Sequence, residues 1–217
     1  YDFGDVNVVF GNCKKTCDII EDTVNELSDL KIKPLTIGGE HSLTVGVLNS
    51  LTEKYDDLTV VHLDAHRDLA DTFIGEEYSH ASVMKRVHEM GIKELIQIGI
   101  RSASKEEEDF VENHSNIMTF KSNEVFSHLD NIEYYLSAVD TPIYLSIDMD
   151  VFDPSVAPTV GNPTPDGILY NHIEAILKTL SLKNVVGMDV VETAGDRLGD
   201  ITAVLASKII YDFLSLL

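Results

Sequence analysis

The chain has 217 residues, of which 44% are hydrophobic, and its formal net charge at pH 7 is −21. This length fits one large α/β domain or two small ones, and the apolar content is enough for a substantial core. The excess of carboxylates argues against a nucleic-acid partner and favours cationic ligands. No apolar run reaches the roughly eighteen residues of a membrane span, so we expect no contact with a membrane.

Short β-branched runs alternate with longer amphipathic segments along the chain. The runs predict strands at 6–10, 34–37, 59–63, 95–100, 117–120, 143–147 and 185–190. The amphipathic segments predict helices at 16–30, 43–55, 81–90, 105–113, 132–139, 171–180 and 202–217. This alternation predicts a mainly parallel sheet with helices on both faces, an α/β protein built as a three-layer αβα sandwich. Since no composition shift marks a boundary, we expect one domain over 1–217.

The two cysteines of the chain, Cys13 and Cys17, lie four positions apart. A single pair of this kind gives neither a disulfide framework nor a complete zinc site. We therefore expect reduced thiols in a cytoplasmic protein.

Two runs of carboxylates each follow a strongly apolar predicted strand, the strands at 59–63 and 143–147. Alternate residues of an extended segment point to the same side, so the members of each run face together. Ligands of open α/β sheets bind at the carboxyl ends of the strands, where an imidazole after the strand at 34–37 also falls. These positions give six candidate metal ligands: His41, Asp64, His66, Asp68, Asp148 and Asp150.

Two metal ions fit this set better than one. Four carboxylates offset the charge of two divalent cations, whereas a single cation would leave buried negative charge in excess. Oxygen-rich sites with imidazole suit manganese, magnesium or iron, and thiolate-rich sites suit zinc. Two metals about 3.5–4 Å apart can activate a shared hydroxide near neutral pH. The set therefore predicts a two-metal hydrolytic site.

Three motifs of this chain resemble the signature motifs of the ureohydrolase family, which includes arginases, agmatinases, formimidoylglutamases and guanidinobutyrases. The motifs are Gly-Gly-Glu-His-Ser at 38–42, Leu-Asp-Ala-His-Arg-Asp at 63–68 and Ser-Ile-Asp-Met-Asp-Val-Phe-Asp-Pro at 146–154. The similarity begins near residues 1–5 and continues through 187–192 into the last helix. It implies an arginase-like fold, and we expect this chain to lack the N-terminal strand that relatives carry before residue 6.

The resemblance implies two Mn²⁺ ions as cofactors and the way in which the six side chains share them. One manganese would be bound by His41, Asp64, Asp68 and Asp148. The other would be bound by Asp64, His66, Asp148 and Asp150. Asp64 and Asp148 would therefore bridge the two ions.

Two further residues have expected catalytic roles. Glu192, at the end of the last predicted strand, can form a two-pronged, charge-assisted contact with a guanidinium group, as the family's matching glutamate does. His80 is the candidate proton shuttle, because imidazole exchanges protons near neutral pH and the family motif supports this role. The expected substrate is a small cationic guanidinium compound.

The resemblance favours agmatine as that substrate, with putrescine and urea as the products. Ser-His-Ala-Ser at 79–82 is closer to the Ser-His-Gly-Thr of agmatinases than to the segment of arginases, and the acidic loop at 71–77 could receive a second positive charge. The alternative is another ureohydrolase: an arginase, a guanidinobutyrase or a formimidoylglutamase. The sequence departs from the family motifs at Glu40, Ala81, Thr159, 162–165 and 193–196. Several of these positions border the substrate, so they bear on specificity more than on chemistry.

Two other classes remain open. Two-metal carboxylate sites also hydrolyse phosphate esters, and Arg67 and Arg101 are the nearest candidates for a phosphate clamp. A non-catalytic relative would be expected to lack ligands, and all six candidates are present. Relatives are commonly trimers or hexamers, so we expect a homo-oligomer.

Overall fold

The computed structural model of the chain describes residues 1–195 and 197–216; Asp196 and Leu217, which ends the helix predicted at 202–217, lie outside the described residues. The strands are β1 (Leu35–Ile37), β2 (Thr59–Leu63), β3 (Glu94–Ile100), β4 (Ile117–Lys121), β5 (Ile143–Asp148) and β6 (Val185–Val191). The helices are α1 (Cys13–Asp29), α2 (Leu43–Thr52), α3 (Val83–Glu89), α4 (Lys105–Glu112), α5 (Ser122–Ser127), α6 (Leu129–Ala138), α7 (Tyr170–Ser181) and α8 (Ile201–Leu216). Short 3-10 turns lie at His80–Ser82 and Met149–Val151. None of the helices within 1–195 and 197–216 has the length and apolar character needed to cross a membrane.

The strands in the described part of the chain form one parallel sheet, in the spatial order β1–β6–β5–β2–β3–β4. From β2 the chain moves outward to β3 and β4, and it then returns to place β5 and β6 on the other side of β2. The strand order therefore reverses between β2 and β5. The carboxyl ends of these two strands form the switch point at which open α/β sheets bind ligands.

Two apolar clusters cover the two faces of the sheet. One cluster joins the sheet to Ile176 of α7 and Ile209 of α8, and the other joins it to Leu48 of α2. Successive residues of β2 point to opposite faces, Val60 into the second cluster and Val61 into the first. This arrangement confirms the predicted three-layer α/β sandwich. Both cysteines are free thiols, as expected.

Six of the seven predicted strands are confirmed, but the strand predicted at 6–10 is wrong. The backbone of these residues is irregular, and Val8 and Phe10 are 62% and 97% exposed. β1 is an edge strand of the described sheet and pairs with β6. Residues 6–10 therefore do not pair with the edge strand as an additional strand. β-Branched composition favours a strand only where a pairing partner and a packed face are available. The sequence pattern also does not predict α5, because six residues are too few to show a helical period.

Candidate metal centre

The six candidate ligands come together at the carboxyl ends of β1, β2 and β5. His41 lies in the turn after β1, Asp64 follows β2 directly, and Asp148 is the last residue of β5. These three residues are at most 3% exposed, so their polar groups lie in the protein interior. The loop after β2 and the 3-10 turn after β5 contribute the other three candidates: His66, Asp68 and Asp150.

The first group of ligand atoms surrounds Nδ1 of His41. This atom lies 3.4, 3.1 and 3.2 Å from the Oδ2 atoms of Asp64, Asp68 and Asp148. It is fully buried and has no hydrogen-bond partner among the described residues. A buried polar atom without a partner costs about 1–3 kcal/mol, and three buried carboxylates around it add mutual repulsion. A divalent cation among these four atoms would remove both penalties, so the donor set fits a metal ion.

The second group lies beside the first and shares Asp64 with it. Nδ1 of His66 is 2.9 Å from Oδ2 of Asp150 and 3.4 Å from Oδ1 of Asp64. Asp64 therefore directs one carboxylate oxygen toward each group. Ligand atoms lie close enough together to hold a metal ion in two overlapping sets: His41, His62, Asp64 and Asp68, and Asp64, His66 and Asp150. Oxygen with imidazole is the ligand chemistry of manganese, magnesium or iron.

A row of polar residues crosses the sheet one step below the ligands. Adjacent strands pair Thr36 with Asp189, Asp189 with Ser146, Ser146 with His62, and His62 with Gln97. The same register continues from Gln97 to Thr119 on β4. We refer to these six residues as the polar row: Thr36, Asp189, Ser146, His62, Gln97 and Thr119. Its four central members are fully buried.

The polar row fixes the orientation of His41. The Ser146 hydroxyl donates to Oδ1 of Asp189 over 2.8 Å, and Nε2 of His41 lies 2.9 Å from the Ser146 oxygen. The only hydroxyl proton of Ser146 is used on the carboxylate, so His41 must donate its Nε2–H to the serine oxygen. When the ring is neutral, Nδ1 then carries a lone pair, and this lone pair points into the carboxylate group. Hydrogen bonding of the second ring nitrogen is the usual arrangement of a metal-binding histidine.

Carboxylate crowding changes the pKa values of the cluster in the absence of a cation. Burial and the charge of Asp64 raise the pKa of Asp68 to about 8 and that of Asp150 to about 6. Although burial lowers it, contacts with Asp150 and Asp64 raise the pKa of His66 to about 11. Without a metal, the cluster therefore holds extra protons. A divalent cation would take their place.

Two residues of the site adopt backbone angles that are uncommon for non-glycine residues. Asp68 has φ 54° and Glu192 has φ 63°, and such conformations cost on the order of 1–3 kcal/mol. Glu192 is held by two hydrogen bonds: its amide donates to the Gly39 carbonyl over 2.9 Å, and its Oε1 accepts the His41 amide over 2.8 Å. A Cβ at Gly161 would lie 3.2 Å from Oε2 of Glu192. The expected substrate-binding carboxylate therefore lies directly beside the metal cluster.

His80 lies at the mouth of the site, on the 3-10 turn before α3. Its Nδ1 is 3.4 Å from Oε1 of Glu40, its ring packs edge-on against Phe73, and its side chain is 45% exposed. The hydrogen bond with Glu40 raises the pKa of His80, and the charges of Asp68 and Glu192 contribute in the same direction. His80 is thus near the cluster and also open to solvent.

The proline-rich loop after β5 is fastened over the site by Arg101. Its guanidinium donates to the carbonyl oxygens of Asp150 and Thr164, each over 2.7 Å. At the tip of this loop, the side chains of Asn162 and Thr164 lie 3.0 and 3.3 Å from Nε2 of His66. The loop therefore positions the second nitrogen of a candidate ligand.

Neither arginine near the site is available as a phosphate clamp. Arg67 is 2% exposed, and its guanidinium donates to Gln97, Thr119 and Glu108. The donors of Arg101 are directed to backbone carbonyls. This arrangement argues against the phosphate-ester alternative.

The sequence analysis missed the residues that support the ligands. His62 and Ser146 lie two positions before Asp64 and Asp148, on the same side of their strands. The sequence does contain a signal for them: each is a polar residue inside an otherwise apolar strand, two positions before a candidate ligand. Gln97 and Asp189 are also polar residues inside apolar strands, β3 and β6, but no candidate ligand follows either of them two positions later.

A parallel α/β sheet with a buried His/Asp cluster at its switch point defines a metal-binding α/β protein. The model of the arginase family matches residues 1–215. Similar chains include the N(1)-aminopropylagmatine ureohydrolase of Thermococcus kodakarensis, 38% identical over 97% of this chain and 71% of the relative. The agmatinase of Bacillus cereus is 36% identical over 99% of this chain and 74% of the relative.

A solved structure titled agmatine ureohydrolase of Thermoplasma volcanium has a TM-score of 0.90 at 30% identity, covering 99% of this chain and 72% of that one. The chain belongs to the arginase family, and by class it is a ureohydrolase. The resemblance drawn from the three motifs is thereby confirmed. The fold and the metal-binding cluster described above agree with it.

Proposed function

We propose that this chain is a manganese-dependent ureohydrolase that cleaves agmatine to putrescine and urea. The observation that carries the proposal is Nδ1 of His41, which is buried among three carboxylates and lacks a hydrogen-bond partner within 1–195 and 197–216. A second group of ligand atoms adjoins it and shares Asp64, as two neighbouring metal ions would require. When bound, two divalent cations supply activated water for hydrolysis near neutral pH.

The proposed ligand sets follow the two groups of atoms. His41, Asp64, Asp68 and Asp148 would bind one ion, and Asp64, His66, Asp148 and Asp150 the other. Asp64 is supported as a bridge because its two oxygens face the two groups. Asp148 contacts the first group, and its Oδ1 accepts the Asp150 amide over 2.8 Å. Its role as the second bridge therefore rests on the family resemblance.

Glu192 is the proposed anchor of the guanidinium group. Its Oε1 already accepts the His41 amide, so the carboxylate is fixed beside the first group of ligands. Its Oε2 faces Gly161, where the missing side chain leaves room. A charge-assisted pair between Glu192 and the substrate would hold the guanidinium carbon next to the cluster.

His80 is the proposed donor of the proton that the leaving amine requires. Its Glu40 contact favours the protonated ring, which is the form that can act as a general acid. Its exposure at the mouth lets it regain a proton from solvent. Glu40 accepts a hydrogen bond from Ser42 through its other oxygen, so the histidine partner is itself held in place.

A second candidate substrate is N(1)-aminopropylagmatine, since the Thermococcus kodakarensis relative is named for it. Both compounds carry positive charge beyond the guanidinium. The acidic loop beside His80 could receive this charge: Phe73, which packs on His80, pairs with Glu76 across a short bridge. Asp71 and Glu77 already pair with Arg86. None of the ion pairs among the described residues includes Glu76, so Glu76 is the carboxylate we assign to the distal cation.

The deciding experiment measures urea release by protein from which metal has been removed and then restored with Mn²⁺, Mg²⁺ or Zn²⁺. Agmatine, N(1)-aminopropylagmatine, arginine and guanidinobutyrate are compared at equal concentration. We expect kcat/KM to be highest for one of the first two compounds, and only with Mn²⁺. A preference for arginine or guanidinobutyrate would reject the substrate assignment, and urea release without added metal would reject the metal assignment.

We also propose that residues 1–217 act as one catalytic domain in a cytoplasmic homo-oligomer, a trimer or hexamer. Support for association comes from α8, which exposes the apolar side chains of Ile201, Val204 and Tyr211. Exposed apolar surface of this kind is typical of interaction sites. Light scattering coupled to size exclusion would give the mass of the assembly, and a monomeric mass would reject this proposal.

A further inference from the structure

His62 lies directly below the shared carboxylate and takes no part in the proposed chemistry. It is fully buried on β2, and its Nε2 is 2.8 Å from Oδ2 of Asp64. Its other nitrogen, Nδ1, is 3.2 Å from Nε2 of Gln97, the residue paired with it on β3. Which of these two nitrogens carries the proton decides whether His62 attracts or repels Asp64 Oδ2.

The surroundings of Gln97 determine its orientation. Its Oε1 lies 2.9 Å from Nη1 of Arg67, and its Nε2 lies 2.8 Å from the backbone oxygen of Arg67. Arginine has no acceptor and a carbonyl has no donor, so exchanging the oxygen and nitrogen of this amide would make two repulsive contacts. One N–H of Gln97 therefore points to the Arg67 carbonyl, and the other points to Nδ1 of His62.

The proton of His62 follows from this orientation. Because Gln97 donates to Nδ1, this nitrogen must be the acceptor, and the ring proton must lie on Nε2. A protonated ring is excluded by the same argument, since Nδ1–H would face the N–H of Gln97. His62 is thus a neutral ring that donates to Asp64.

We propose that Arg67, Gln97 and His62 form a directional hydrogen-bond chain whose function is to position Asp64 for metal binding. The inference rests on the proposed metal-dependent function. Oδ2 of Asp64 accepts from His62, while Oδ1 accepts from the His66 amide over 2.6 Å. With one donor on each oxygen, the carboxylate cannot rotate, and its remaining lone pairs face the two groups of ligand atoms. His62 is a positioning residue in this scheme.

The hydrogen-bond chain from Arg67 to Asp64 begins at the protein surface. Nη2 of Arg67 donates to Glu108 on α4, whose side chain is 40% exposed, and Nη1 also donates to Thr119 at the end of the polar row. The neighbouring Glu107 accepts the Leu69 amide and so holds the loop that carries Arg67. The first turn of α4 is therefore connected to the metal site through buried side chains.

The variant Gln97→Glu tests the direction of the hydrogen bonds between Arg67, Gln97 and His62, because glutamate has almost the same shape as glutamine. Glutamate can still accept from Arg67, but it can donate neither to Nδ1 of His62 nor to the Arg67 carbonyl, and a carboxylate facing Nδ1 favours a proton on that nitrogen. In protein labelled with [¹⁵N]histidine, two-bond ¹H–¹⁵N spectra of the metal-free and Mg²⁺-bound forms report which ring nitrogen is protonated. We expect Nε2 alone to carry a proton in the unchanged protein and Nδ1 to carry one in Gln97→Glu.

Mn²⁺ affinity, measured by titration calorimetry, provides the second measurement. An added negative charge near the site should by itself strengthen cation binding, whereas loss of positioning should weaken it, by roughly 10–100-fold for changes of this kind. We expect weakening. Asn116→Asp makes the matching amide-to-acid change beside a different histidine, His88, and it should leave Mn²⁺ affinity unchanged.

If Gln97→Glu does not fold, Gln97→Met removes the donor without adding charge. In that variant His62 should show a mixture of the two neutral forms, and Mn²⁺ binding should again weaken. Protonated Nδ1 in the unchanged protein, or Mn²⁺ affinity that is equal or tighter in the Gln97 variants, would overturn the proposal. Neither measurement uses urea release, so a failure of the agmatine assignment would be recognised separately.

Discussion

Replacing Ser146 with alanine should lower the free energy of unfolding by more than the loss of one ordinary hydrogen bond would. Ser146 accepts the Nε2–H of His41 and donates to Asp189, and all three residues are fully buried. The alanine variant leaves a buried N–H without an acceptor, at about 1–3 kcal/mol, and a buried carboxylate short of one donor, at about 1.5–3 kcal/mol. The space of one oxygen atom, closed by packed strands, is too small for a water molecule to replace both contacts. We expect a loss of about 2.5–6 kcal/mol in the free energy of unfolding.

The assay is equilibrium denaturation of metal-free protein in urea, with Ser50→Ala as the matched control. Ser50 is also fully buried, but its hydroxyl donates to the partly exposed Asn25, which water can reach. The control should lose only about 0.5–1.5 kcal/mol, the net value of an ordinary hydrogen bond. Ser146→Ala should in addition weaken Mn²⁺ binding, because His41 is no longer held. Equal stability losses in the two variants would refute the argument that Ser146 satisfies two buried groups at once.

Three further outcomes are expected. Asp150→Ala should lower the bound manganese, measured by elemental analysis, from two ions per chain toward one, and it should abolish urea release. The control Asp140→Ala, at an exposed position, should change neither quantity. Full activity of Asp150→Ala would contradict the ligand assignment. Glu76→Gln should raise KM for agmatine about two- to fivefold, as the loss of an exposed ion pair implies, and leave KM for guanidinobutyrate unchanged; equal effects on both would remove Glu76 from the substrate site. In metal-free protein the pKa of Asp68 is raised from 3.8 to about 8. Between pH 3.8 and about 8 the folded state therefore keeps a proton that the unfolded chain loses. The free energy of unfolding must fall as the pH rises through this range. Tm should therefore be lower at pH 8 than at pH 5, with a smaller difference when Mn²⁺ is bound, and a Tm that rises with pH would contradict the crowding of these carboxylates.

The close approach of the six candidate ligands was predictable from the sequence, because their spacing and their position after apolar strands are both local features. Asp64, His66 and Asp68 recur at every second position directly after β2, and the position of that segment at a strand end follows from the parallel sheet, although the positive φ of Asp68 shows that the segment is not extended throughout. The strand at 6–10 shows the limit of such reasoning. Its composition suits a strand, yet composition cannot reveal whether a neighbouring strand is present to pair with it.

The supporting residues were not predictable in the same way, because their roles depend on strand register. Gln97 and His62 lie 35 positions apart in the chain and meet only because β3 pairs with β2 in this register. A shift of one residue would turn Gln97 to the opposite face of the sheet. The sequence left Arg67 as a candidate for the phosphate clamp of an alternative function, whereas packing buries it and directs its donors to Gln97, Thr119 and Glu108.

The polar row explains how two buried histidines, at neighbouring positions in space, can present opposite chemistry to the same cluster. At one side, the Asp189 carboxylate can only accept: it accepts hydrogen bonds from the hydroxyls of Ser146, Thr44 and Tyr144, so Ser146 must in turn accept from His41. At the other side, the guanidinium of Arg67 can only donate, so Gln97 accepts from it through Oε1 and turns an N–H toward His62.

The direction of each hydrogen-bond chain is therefore set by a residue that cannot reverse its role. As a result, neutral His41 has a lone pair that a cation could take, while His62 donates an N–H hydrogen bond to Asp64. Buried polar residues are costly unless every partner is satisfied, and here their satisfaction is also what separates a metal ligand from the residue that positions one.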